Sequence, residues 1–223
     1  EKITKNKCIF FPSWPEEGIG ESNIQYSKAL NKKNSDVTRI MFTGNIGEAQ
    51  SFITLIEAAK ILKTSAKIEW IIIGDGRFKK ELKKLIEINN LQKEFILIKP
   101  VPLSSIKSYF NHADALYLSL QNNSTYQKTI PGKLQTYMSA QKPIIASISG
   151  EAKEIIENSS AGFASDAEDI TGLVNNVIKF INLTDKQKHD LGNNAKVFCD
   201  KNYVKENILN DLKRNLEDLI KKQ

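Results

Sequence analysis

The chain has 223 residues, 40% of them hydrophobic, with two cysteines and a formal net charge of +6. That length supports a full hydrophobic core in one medium α/β domain or two small ones, so neither a disulfide nor a structural metal is required. Cys8 and Cys199 have no second Cys or His at ligand spacing, which argues against zinc and suits a reducing compartment; the lysine excess lacks interleaved aromatic residues, which argues against nucleic acid.

The chain opens with "EKITKNKCIFFPSWPEEG", which reads as a charged turn running into a short strand. It has no initiator Met, and it is expected to come from the middle of a longer protein. From residue 38 onward, short β-branched runs alternate with amphipathic segments. The runs at 38–44, 68–74, 94–99, 114–120 and 142–148 predict five strands, and "GFAS" at 162–165 a sixth. Several are apolar on both faces, the mark of strands covered by helices on both sides. Helical periodicity fills the intervals at 49–63, 76–90, 103–113, 132–141 and 151–158. This alternation predicts a Rossmann-like, doubly wound parallel sheet of about six strands with right-handed crossovers. After residue 166 the pattern is entirely helical, over 166–182, 184–202 and 204–222, so C-terminal helices are expected to pack on the sheet or reach toward a partner domain. No apolar run approaches the roughly eighteen residues of a membrane span. With no signal-peptide core at the start, the expected location is the cytoplasm.

Open parallel sheets bind ligands beyond the carboxyl ends of their strands, at the point where strand order reverses. Glycines and small polar residues gather after the predicted strands, in "GNIGEAQ", "GDG" and "PVP", and "TIPGK" precedes the helix after the fourth. Gly44 and Gly47 bracket the first loop, where close backbone approach suits a phosphate. Gly74 and Gly76 make only the start of a dinucleotide fingerprint, since Lys79 stands where a third glycine belongs, and a nicotinamide site is not expected. In "TIPGK", Pro131 presets a helix start and Gly132 leaves its free N–H groups open to an oxygen, while Lys133 adds a positive charge. Taken with the first loop, this predicts a diphosphate site. His112 and His189 lack a neighbouring nucleophile or carboxylate arrangement, and Glu151 and Glu154 complement a helix dipole. A Walker motif, a serine elbow and a metal-binding carboxylate pair are not visible.

Together these loops resemble the C-terminal, donor-binding half of a GT-B glycosyltransferase of the large retaining family four, glycosyltransferases group 1. The resemblance is to the subgroup that assembles capsule, O-antigen and exopolysaccharide. "CIFFPSWPEE" resembles the family's inter-domain segment, with Ser13 where Asn is usual. "GNIGEAQSFITLIEAA" is similar to the first donor loop, with Gly44, Asn45, Gly47 and Gln50 on its characteristic positions. "IIIGDGRFKKEL" matches the second loop, which carries Gly74, Asp75 and Gly76. "PVPLSSIKSYFNHADALYLSL", with Val101, matches the base-recognising segment, and "TIPGKLQTYMSAQKPIIASISGE" the pyrophosphate segment. The chain departs from the family at Asn45 and Gln50, where many members have Arg and Lys. It departs again at Lys128 and Thr136, where many have two glutamates, the second of which holds the ribose.

The resemblance implies a donor-binding set of Gly44, Asn45, Gly47, Gln50, Gly74, Asp75, Gly76, Val101, Pro131, Gly132, Lys133 and Thr136, with catalytic residues unassigned and no metal or cofactor. It implies three regions: an inter-domain segment over 1–36, a donor-binding domain over 37–201, and a C-terminal helix over 202–223 that packs toward an N-terminal acceptor domain. The whole enzyme would transfer a sugar from a nucleoside diphosphate sugar, a UDP sugar first, to a saccharide or lipid-linked acceptor in surface polysaccharide synthesis. Its expected place is the cytoplasm or the inner face of the cytoplasmic membrane, where the basic C-terminal helix suits peripheral contact with an anionic surface. This half alone would be inactive. A nucleotide-sugar epimerase half and a noncatalytic nucleotide-binding module are the alternatives.

Overall fold

The computed structural model describes residues 8–17, 30 and 36–221. Six strands, β1 (Thr38–Asn45), β2 (Ile68–Asp75), β3 (Phe95–Ile98), β4 (Ala115–Ser119), β5 (Ile144–Ser147) and β6 (Gly162–Ser165), form one sheet in the order β3-β2-β1-β4-β5-β6. Every pairing is parallel, as connections through helices require. The predicted strands are present with ends shifted by one or two residues, and the doubly wound class is the observed one.

The strands are apolar on both faces because each face meets its own helical layer. Ile40, Phe42, Trp70, Ile72, Tyr117 and Ile145 point to the layer of α1 (Phe52–Leu62), α2 (Lys79–Ile88) and α6 (Ile170–Ile181). Met41, Ile71, Ile73, Leu116, Leu118, Ile144 and Ala146 point to the opposite layer. That layer holds α3 (Ile106–Phe110), α4 (Gly132–Ser139), α5 (Glu151–Asn158) and α7 (Asp185–Asn202). Successive residues of a strand thus serve two separate cores, as the alternation of Cβ directions dictates.

Helix ends follow local chemistry. Asp169 caps α6 by accepting the N–H of Gly172 at 2.9 Å. Thr184 and Gln187 form a reciprocal box at the start of α7, the Thr184 hydroxyl accepting the Gln187 N–H and the Gln187 side chain accepting the Thr184 N–H.

Residues 8–16 are not a strand, contrary to the sequence expectation, and residues 1–7 lie outside the described part. Pro12 and Pro15 have no N–H to give a ladder. The segment is held by side chains: Phe11 and Trp14 meet edge to face at 6.5 Å. Lys205, at the start of α8 (Lys205–Lys221), lies over the Trp14 ring at 5.4 Å and donates to Glu17 at 2.5 Å. Farther along α8, Leu216, Leu219 and Ile220 are exposed.

Trp70 is 1% exposed, stacks on Phe95 and meets Tyr117 edge to face. Replacing it with Ala leaves a large void between β2 and its helices. Urea unfolding is expected to show a loss of about 3–5 kcal/mol.

Candidate functional site

Strand order reverses between β1 and β4. These two strands pair only through Ile40 with Ala115 and Met41 with Leu116, after which their carboxyl ends separate. A cavity of about 480 Å³ opens over the ends of β1 and β2 beside this crevice. Thr43, Gly44 and Asn45 of β1 and Ile73, Gly74 and Asp75 of β2 form its floor, and Pro100, Val101, Leu103 and Ile106 form an apolar wall. Lys133, Thr136 and Tyr137 enter from α4, and Glu16 comes from the N-terminal segment.

Two glycines allow this convergence. Gly44 has φ of 121°, and a Cβ there would lie 2.7 Å from Cε of Lys133. Gly74 has φ of 152°, and a Cβ there would lie 1.9 Å from the Gly44 carbonyl oxygen. A side chain at either position would push the strand ends apart or displace the lysine.

The Lys133 ammonium sits 5.2 Å from the centroid of the Phe42 ring. Burial pushes its pKa below the ordinary lysine value, while the negative charge of Glu16 acts in the opposite direction. Among the residues lining the cavity it is the sole cation, and Glu16 and Asp75 are the carboxylates. Asp75 is held below the usual carboxylate range, first by the Gly76 N–H and then by Lys79. The Thr136 hydroxyl accepts the Glu16 N–H at 3.3 Å.

Helix α4 begins without a side-chain cap; Pro131 is extended and its carbonyl accepts the Leu134 N–H at 2.8 Å. The N–H groups of Gly132 and Lys133 belong to the unsatisfied first turn, at the positive end of the helix dipole. A Cβ built at Gly132 would meet nothing within 4 Å. The fold therefore leaves open space before this helix start, and a glycine keeps it open.

The loop after β1 is arranged differently from the sequence expectation. The N–H of Gly47 goes to the Gln50 side chain at 2.9 Å, and that of Ile46 to the Asp75 carbonyl at 2.7 Å. Gln50 is itself held against β4, since the Ser119 hydroxyl donates to its carbonyl at 2.6 Å. Gln50 and Gly47 shape the loop, and the Gly47 N–H is not free to meet a phosphate.

Of the twelve expected residues, Gly44, Asn45, Gly74, Asp75, Val101, Lys133 and Thr136 line the cavity. Pro131 and Gly132 start the helix that carries Lys133 into it, while Gly47, Gln50 and Gly76 lie outside its lining. Sequence reasoning missed Tyr137, which shares a helix face with Lys133 at i+4, a spacing that does not tell it from an ordinary core aromatic. It also missed Glu16, which no local pattern connects to a helix 120 residues away. His112 precedes β4, at the end of the sheet away from the cavity, and His189 pairs with Asn193 on α7. No group of metal-ligating side chains occurs among the described residues.

The arrangement can hold an anion between the Lys133 ammonium and the start of α4, with a flat apolar group against the Val101 wall. Because the Lys133 pKa is lowered on folding, the unfolded chain keeps a proton that the folded chain has released, between the lowered value and 10.5. The Lys133 contribution to stability therefore rises with pH through that window. Burial raises the Cys199, Tyr117, Tyr137 and Tyr203 values and acts in the opposite direction near its upper end, so the lysine is read as a difference: the urea midpoint of the unaltered chain is expected to gain on that of Lys133→Met as pH climbs to 10.5.

Comparison with known proteins matches residues 24–198 to the family described as glycosyl transferases group 1. The amylovoran biosynthesis glycosyltransferase AmsK of Erwinia amylovora is 29% identical over 137 residues, which cover 60% of this chain and 34% of that protein. The crystal structure of the C-terminal domain of the group 1 glycosyl transferase LpcC from Francisella tularensis aligns with a TM-score of 0.63 at 20% identity. The alignment covers 85% of this chain and 95% of that one. Anabaena HepE, solved with UDP and glucose, aligns with a TM-score of 0.66 at 16% identity over 82% of this chain and 48% of that one. The chain spans about a third of the length of the curated relatives it matches. With the matched segment covering most of the sequence and a sheet shared with GT-B enzymes, this chain belongs to the glycosyl transferases group 1 family.

Proposed function

We propose that this chain is the donor-binding half of an enzyme that transfers a sugar from a nucleoside diphosphate sugar, a UDP sugar first, to a saccharide or lipid-linked acceptor. The observation that carries this reading is the convergence of Lys133, the uncapped start of α4 and Gly44 at the reversal of strand order, beside an apolar wall. A diphosphate fits the charged end, and a base fits against Val101, Leu103 and Ile106.

The chemical demand on this half comes from the leaving group. As the bond from the sugar to the diphosphate breaks, negative charge grows on the terminal phosphate. Groups already aimed at that position stabilise it without reorganising. Lys133, half-buried and on the same helix start as the open N–H groups of α4, meets this demand with fixed dipoles and one cation. The solved complex of Anabaena HepE with UDP supports uracil as the base. Surface polysaccharide synthesis, suggested by the name of the Erwinia relative, is the proposed setting. In this reading residues 37–201 form the donor domain, residues 1–36 are the inter-domain segment and linker into it, and the C-terminal helix over 202–223 packs toward an N-terminal acceptor half that the chemistry of transfer requires. The cytoplasm or the inner membrane face is the proposed location; no helix among the described residues is long and apolar enough to cross a membrane.

Calorimetric titration of the chain with UDP, GDP and ADP at low salt tests the reading. UDP is expected to bind best. Lys133→Ala should weaken it by at least about tenfold, the loss of one charge-assisted contact. Gly132→Val should weaken it similarly without lowering the melting temperature, since the added side chain enters open space. Binding of no nucleotide, or binding indifferent to both changes, would refute the assignment.

A further inference from the structure

The crevice between β1 and β4 raises a backbone problem that one side chain solves. Had the pairing continued in register, Thr43 would face Leu118, but the ladder stops after Met41 and Leu116. The Thr43 N–H is therefore buried without a strand partner. The Tyr137 hydroxyl takes that place, accepting the Thr43 N–H at 3.0 Å and lying 3.3 Å from the Thr43 carbonyl and 3.4 Å from its hydroxyl. Burial pushes the Tyr137 pKa up to about 12, so the hydroxyl keeps its proton and serves as both donor and acceptor. Its ring is fully buried and fixed edge to face against Phe110 at 5.8 Å.

Tyr137 stands one turn after Lys133 on α4, and Thr43 directly precedes Gly44 on β1. The hydroxyl thus ties the two elements together where they form the anion site, and little slack exists there. The space over Gly44 is already filled by the Lys133 side chain. A shift of the β1 end relative to α4 would move Gly44 and Lys133 against each other directly.

We propose that Tyr137 is a positioning residue for the diphosphate: its hydroxyl stands in for the missing strand partner of Thr43 and holds Lys133 in register with Gly44. The inference rests on the diphosphate reading above and adds which residue sets its geometry. It predicts an effect confined to the charged end of the ligand, because the base wall at Val101 and Leu103 comes from the segment after β3.

The test compares UDP with UMP, the latter read by competition, on the unaltered chain and on Tyr137→Phe, which keeps the ring packing and removes one oxygen. UDP affinity is expected to fall about tenfold and UMP affinity less than about twofold, the first being the size of one buried hydrogen bond. In a Lys133→Ala background the same change should cost little further UDP affinity, since the tyrosine acts through the lysine. Parallel loss of UDP and UMP, unchanged UDP affinity, or full additivity with Lys133→Ala would overturn the positioning role and leave the diphosphate site standing. Failure of the unaltered chain to bind either nucleotide would overturn both readings. Cooperative melting of each variant confirms that the comparison is made on folded protein.

Discussion

The site depends on a gap in the hydrogen-bond ladder. A doubly wound parallel sheet sends its connections to opposite faces on either side of the β1–β4 pair, so no crossover helix covers the ends of those two strands. Once β1 and β4 part, the backbone of each must find partners elsewhere, because a buried N–H left unpaired costs about 1–3 kcal/mol. On one side of the gap, β4 supplies Ser119 to the Gln50 carbonyl, and the Ala49 carbonyl accepts the Gln121 N–H. Deeper in the gap, Tyr137 serves Thr43. These substitutions satisfy the backbone while the crevice stays open.

Charge is placed in that crevice at a cost that a ligand can recover. An ammonium disfavoured by burial, over an aromatic ring and beside a helix start lacking a cap, is an incomplete arrangement in electrostatic terms. The buried charge and the uncapped helix start would both be improved by a polyanion. In the proposed reading the dipoles offered to a phosphate come from α4 more than from the first glycine loop, whose Ile46 and Gly47 N–H groups are engaged within the fold. Gly44 contributes by what it lacks, the Cβ that would collide with Lys133.

The segment from Cys8 to Glu17 brings distant parts of the chain to the same place. Trp14 and Glu17 fasten it to Lys205 of α8, and two residues of the same short stretch reach different targets. Glu17 faces the helix, whereas Glu16 borders the cavity and binds Thr136 through its backbone. The segment carries no regular secondary structure, and its two prolines and its aromatic pair account for its course.

The sequence by itself determined the sheet, its parallel sense and the two-sided burial, because alternating apolar residues and helical periods are local properties of the chain. Motif spacing also brought out Gly44, Gly74 and Lys133, since glycine before a helix and lysine after Pro-Gly have few structural uses in combination. The tertiary structure alone decided what each loop group does. Gln50 carries the same polarity as a ligand contact, yet its side chain closes on Gly47 in the folded loop. Tyr137 reads as one more core aromatic until the parting of β1 from β4 leaves Thr43 in need of a partner. Glu16 enters the site across 120 residues. Long-range placement depends on where strands stop pairing and where a coil segment is pinned, and neither is written in the periodicity of any one stretch.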